Sequence, residues 1–308
     1  MIADGVRSHE LAGQSVRGLA RDAEGGVVAL VDGHKICRRT FDERAGVHWE
    51  TLASCEQDLA CCSPVRGALL VGTDSEAALL RFDDTGVVSR VGGFDSVPGR
   101  SSWYAGQAVV DGRTVGPPLG IRSMARNADR SVTLAAVHVG GAPRSVDNGA
   151  TWHPTFSVDW DVHEVAAHSE RPELFAAATA EGLAISWDAG ESWALQTNGL
   201  HAPYCSAVMF MGDEVFVAAS EHHFAPRGAI YRCSLESGRG DVELTLVGGG
   251  LPPWLGGIVD TASIASSGRV GALVDASGQL FVSDDSGNSW TLRAEGLTES
   301  SSILILYP

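Results

Sequence analysis

Short apolar runs recur along the chain, cut by Gly, Asp and Ser: VVALV (27–31), ALLVG (68–72), VTLAAV (132–137), LFAAAT (174–179), VFVAAS (215–220) and VGALV (270–274). Runs this short, rich in Val and Ala and bounded by turn residues, read as buried strands rather than helices. About ten residues ahead of most of them lies a more mixed run, as in VRGLARD (16–22), IRSMARN (121–127) and VHEVAAH (162–168). No stretch carries the i, i+3, i+4 spacing of a three-turn amphipathic helix.

After these runs a motif repeats. PRSVDNGATW (143–152), AISWDAGESW (184–193) and FVSDDSGNSW (281–290) share S-x-D-x-G-x-S/T-W. Counting 25 residues back from Asp147, Asp188 and Asp285 reaches Arg122, His163 and Asp260. The same offset from Asp42, in the degenerate TFDERAGVHW, reaches Arg17, and Asp84 stands 26 residues beyond Asp58. A sixth unit, from about Cys205, has a longer middle insert.

Each unit reads as four short strands, and units of roughly 40–50 residues of this kind predict propeller blades. The predicted fold is therefore an all-β propeller filling residues 1–308 as a single domain. Six units run from about residue 14 to 297. SSILILYP and MIADGVRSHEL remain, and pairing them would make a seventh, composite blade and remove both sheet edges. Seven blades are expected on that ground, with six as the alternative.

The repeated motif resembles the Asp-box, or BNR, repeat of sialidases, sortilin-type receptors and photosystem assembly factors. The longer string GPPLGIRSMA…VHVGGAPRSVDNGATWHPTF…DVHEVAAH…GLHAPYC resembles compact, stand-alone bacterial propellers labelled sialidase-like. The resemblance implies that the motif is the turn between the third and fourth strands of a blade. Its aspartate would cap turn amides, its glycine supply positive φ and its tryptophan fill the space between blades.

The chain carries 38 acidic and 22 basic residues, a formal charge of −16, which argues against nucleic acid or an anionic membrane as partner. The first residues lack a basic segment followed by an apolar run, and a cytoplasmic location is expected. Six cysteines without C-x-x-C spacing read as free thiols.

Innermost strands line a propeller's channel, so Arg17, Asp58, Arg122, His163, Cys205 and Asp260 are expected to ring one mouth. Connections between blades would add Trp103, Tyr104, Trp160, His201, Tyr204 and Trp254, and the turns between second and third strands His34, His138, Glu221, His222 and His223. Aromatic walls with convergent polar groups suit a small-molecule ligand. Arg17 and Arg122 would recognise an acidic ligand. His163, oriented by Asp161 two residues earlier, would act as acid or base, with Asp58 and Asp260 as further carboxylates. Strict alternation would turn Glu164 away from the channel.

No cofactor is expected. His138, His163, His222 and His223 have the chemistry of metal ligands, but sequence spacing does not show whether three donors converge, and a metal ion stands as the minor alternative. Sialidases of this fold share an R-I-P motif and three arginines; no R-I-P occurs here and a third channel arginine is not identifiable. The expected function is thus binding of a small, acidic molecule at the channel mouth, with non-redox acid/base chemistry of hydrolase or lyase type. A protein-docking scaffold and a sialidase-like glycoside hydrolase are the alternatives.

Overall fold

The computed structural model describes all residues except 1, 4, 5, 8, 23, 24, 43–45, 106, 107, 111, 112, 116, 117, 158, 236, 237, 239, 241, 299, 300, 307 and 308. These residues form a six-bladed β-propeller. Blade one spans 16–54, blade two 59–90, blade three 121–145, blade four 162–196, blade five 204–256 and blade six 264–294. The strands of each blade pair antiparallel in sequence order, except that in blade five the last two both pair with the third, and each apolar second strand is sandwiched between its neighbours. That position explains the continuous burial of Thr133–Val137 and Phe175–Thr179. In blade three the fourth strand is reduced to one bridge, Arg144 to His153.

The three S-x-D turns fold alike. In the blade-three turn, Ser145 Oγ donates to Asp147 Oδ1 (2.9 Å) and accepts from the Gly149 amide (2.9 Å), while the Thr151 amide donates to Asp147 Oδ1 (2.8 Å). The cage recurs around Asp188 and Asp285. Asn148 and Gly149 both take positive φ, +61° and +83°, which is why glycine recurs at the second of these positions. The Trp152 indole donates to the Gly149 carbonyl (3.0 Å) and packs edge-on against Phe94, 5.2 Å between ring centres, in the core between blades two and three.

The seventh blade is not formed. Residues 301–306 are not a strand, and among the described residues Ile2–Ala3 pairs only with Val6–Arg7. Instead the carboxyl-terminal segment runs as a strap through the seam between blades six and one. The Ile303 amide donates to the Ala262 carbonyl (2.8 Å), and Arg21 Nη2 donates to the Ile305 carbonyl (2.8 Å). Ile303 and Ile305 pack on the blade-six core of Ala272, Val274, Leu280 and Ala294. Two alternating isoleucines suffice to cover that face, so the segment's β-like pattern needs no sheet.

All six cysteines are free. No helix among the described residues is long and apolar enough to cross a membrane.

Candidate functional site at the channel mouth

A β-bulge sits near the start of five innermost strands, where the ladder skips Arg17, Ala60, Arg122, His163 and Ser206. The bulge corrects the sequence register: Ala60, not Asp58, matches Arg17, and Ser206, not Cys205, matches His163. It also breaks strict alternation, because an extra residue in one strand re-aims the side chains beside it.

Glu164 is the clearest result of that break. Expected to face away, it lines the channel, in a cavity of about 450 Å³ together with Arg17, Asp74, Arg122, Asp260 and Ser302. Its carboxyl accepts from the Val208 amide of blade five (2.9 Å) and the Ala262 amide ahead of blade six (3.0 Å). Burial pushes its pKa up to about 8; the two amides and Arg122 pull it down and Asp260 adds to the rise.

Both channel arginines already have carboxylate partners. Arg17 pairs with Asp58 at 3.3 Å and Asp74 at 3.8 Å. Arg122 lies 3.4 Å from Asp260 and donates to Thr261 Oγ1 (3.1 Å). Asp58, with 56 % of its side chain exposed, and Asp260 are therefore each half of an ion pair, made through Arg17 Nη1 and Arg122 Nη2.

Beside Arg122 the structure gathers His138, Asp161, His163, Tyr204 and His223. His163 is 1 % exposed. Its Nδ1 lies 2.6 Å from the Cys205 carbonyl, which can only accept, so Nδ1 carries the hydrogen. Nε2 faces Asp161 Oδ2 at 3.3 Å, while His138 Nε2 stands 3.7 Å from Oδ1. His163 Nε2 and Asp161 Oδ1 are buried without a hydrogen-bond partner among the described residues.

Electrostatics hold the groups in distinct states. Burial opposes the Asp161 charge, but His163, His138 and Arg122 beside it win and keep its pKa below the ordinary carboxylate value. Burial drives His138 down to about 4, with Arg122 and the other histidines adding to the fall. His223 is lowered by burial and Arg122 as well. Tyr204, ringed by burial, Asp161 and Asp260, is pushed up and keeps its proton at neutral pH. Its ring lies 4.6 Å from that of His163, and its hydroxyl is 3.4 Å from His223 Nδ1.

Other expected site residues fall elsewhere. Trp103 is 7 % exposed, packed against Phe94 and under the Arg100 guanidinium; its apolar neighbours make it core rather than wall. Trp160 packs at a tilt on Phe156, partly buried against the core between blades three and four. His222 is exposed, its Nδ1 occupied by the Phe224 amide (3.1 Å) in a turn. His201 and Trp254 form a separate rim group with Tyr231 and Arg227: His201 Nδ1 is 2.9 Å from the Tyr231 hydroxyl, and Arg227 lies over the Trp254 ring at 4.3 Å. Tyr104 is exposed and bridges Val139 through its backbone. Cys205 is fully buried, and burial pushes its thiol up, so it offers no thiolate.

His223 belongs to the site, although its neighbour in the sequence is the more exposed of the pair. Among the described residues no three His, Cys, Asp or Glu side chains converge as metal ligands do.

No family model matches this sequence, and no curated protein matches it. Many solved structures share the fold. An ancestral GH74 enzyme superposes with TM-score 0.64 at 13 % identity, over 92 % of this chain and 39 % of that one. The Niastella koreensis GH74 enzyme gives 0.58 at 14 %, over 91 % and 45 %. The GH74 xyloglucanase from Xanthomonas campestris gives 0.54 at 16 %, also over 91 % and 45 %. The chain thus spans less than half the length of these neighbours, and at such identities the likeness is one of fold.

Proposed function

We propose that the propeller binds a small molecule rich in hydroxyl or amine groups at the channel mouth, and that Asp161 and His163 act on it as an acid/base pair. One observation carries this reading: two buried polar atoms, His163 Nε2 and Asp161 Oδ1, have no hydrogen-bond partner among the described residues, in a pair of side chains only 3.3 Å apart. A buried polar atom left unpaired costs about 1–3 kcal/mol, and a ligand hydroxyl or amine that bonds one of these atoms would recover it. The ligand group then lies beside an imidazole and an ionised carboxylate, the groups general acid/base catalysis uses.

The charge of the mouth selects against an acidic ligand. Asp58, Asp74, Asp161 and Asp260 outnumber Arg17 and Arg122, and both arginines are paired. Neutral, hydroxyl-rich molecules fit better, and carbohydrate is the class suggested by the glycoside hydrolases that share the fold. On this reading the S-x-D turns are Asp-box repeats that fasten the opposite face. Docking of a protein is a second reading, favoured by Phe224, Tyr104 and Trp254, which are 64 %, 54 % and 40 % exposed on loops of the mouth face.

Calorimetric titration with neutral oligosaccharides, xyloglucan fragments among them, and with simple amines tests the proposal. Wild type is expected to bind a member of the set, and His163→Gln and Asp161→Asn to lose binding while melting within a few degrees of wild type. Variants that bind as wild type does, or that simply unfold, would make the pair structural. A set in which nothing binds would remove the hydroxyl or amine class.

A further inference from the structure

The face opposite the mouth carries a feature that the channel chemistry does not use. Arg66, in the turn after the first strand of blade two, lies near Arg126 and Arg130, from the matching end of blade three. Arg81, on the third strand of blade two, joins them. Several arginines of this acidic chain find a carboxylate, Arg17, Arg90, Arg122 and Arg171 among them. By contrast, Arg66, Arg81, Arg126 and Arg130 form no ion pair among the described residues, although Asp22 and Asp129 share the same hollow of about 570 Å³. Asp22 is 3.1 Å from Arg38, and Asp129 is held by the amide and hydroxyl of Ser131.

The arginines are placed rather than scattered. Asn148, in the blade-three turn, accepts from the Arg66 amide (2.9 Å) and from Arg126 Nη2 (3.2 Å), and donates to the Arg66 carbonyl (3.0 Å). Its carbonyl accepts from Arg81 Nη1 (3.2 Å). Arg126 also donates to the carbonyls of Pro64 (3.3 Å) and Arg130 (2.8 Å), yet its Nε is buried without an acceptor. Burial, with Arg130 and Arg66 nearby, lowers the Arg126 pKa, so the like charges are close enough to cost energy.

We propose that this cluster binds a tetrahedral oxyanion, the phosphoryl or sulfuryl group of a ligand. Several guanidinium groups held together without an ion pair are stabilised by a multiply charged anion, and their forked donors match its oxygens. A monovalent carboxylate neutralises too little of the cluster to serve as well. The side chains of Arg66 and Arg130 make no hydrogen bond or ion pair among the described residues, which leaves their donors open to the ligand.

The test is titration of wild type, Arg66→Gln and Arg130→Gln with inorganic phosphate, sulfate and acetate, by calorimetry and by melting temperature, against sodium chloride of equal ionic strength. Phosphate or sulfate is expected to bind and raise the melting temperature beyond chloride, and whichever binds more tightly names the group. Each variant should bind at least about tenfold more weakly at unchanged stability without the anion. His163→Gln should bind phosphate as wild type does, which separates this site from the channel mouth. Equal effects of phosphate, sulfate and chloride, acetate binding as tightly as phosphate, or undiminished binding by both arginine variants would each overturn the proposal.

Discussion

Replacing Glu164 with Gln tests the central packing of the ring through pH. In the folded protein Glu164 keeps its proton up to about pH 8, while in the unfolded chain it loses it near 4.5. Between those values the folded state holds a proton the unfolded state has released, so stability falls as pH rises. The contribution is fully favourable below 4.5 and is lost progressively through 8. At about 1.4 kcal/mol per pH unit, the loss accumulates to roughly 5 kcal/mol.

The side chain introduced by Glu164→Gln would not titrate. Its amide offers one acceptor where the carboxyl offers two, so either the Val208 or the Ala262 amide would face an NH₂ group, at a cost of about 1–3 kcal/mol independent of pH. Urea unfolding of both proteins from pH 5 to 9 gives the difference directly, and other titrating groups cancel in it. Wild type should be the more stable at pH 5 and the variant at pH 9, with the crossing between roughly pH 5 and 7. A difference that stays constant over the whole range would refute the account of Glu164 as a protonated bridge between blades.

Two further predictions concern the rest of the ring. Trp152→Ala removes a fully buried ring and its hydrogen bond to Gly149, and chemical denaturation should show a loss of about 3–5 kcal/mol. Ile303→Asp combined with Ile305→Asp puts two charges against the blade-six core, and the melting temperature should drop, with faster hydrogen exchange at the residue-303 amide that in wild type bonds Ala262; unchanged exchange there would mean the strap contributes nothing to closure.

The blades were legible because their periodicity is strong. Turn residues and four-strand spacing gave the architecture, and the S-x-D cage is chemistry local to ten residues. The blade number was harder, since SSILILYP has the composition of a strand, and only the shape of the seam decides that it lies as a strap. The site was half legible. Asp161 and His163 are two apart where one strand begins, close enough in the chain for the sequence to pair them. The bulges did not, because an inserted residue leaves no compositional mark, and that hid the inward turn of Glu164 and the true register of blades two and five. Tryptophans misled for a different reason: a large ring on a connecting loop serves packing and ligand walls equally, and Trp103 and Trp160 went to the core. The arginine cluster draws on residues 66, 81, 126 and 130, whose meeting depends on how two neighbouring blades pack.

The strap at the seam gives the ring a direction in which to come apart. Since each blade is built from contiguous chain, no strand among the described residues is traded between the first and last. A pull on the carboxyl end would load the Ile303 and Ile305 contacts one at a time, as in peeling, instead of shearing a whole strand at once. Blade six would then lose its covering first, and the circle would open into an arc whose remaining five blades still hold their own neighbours.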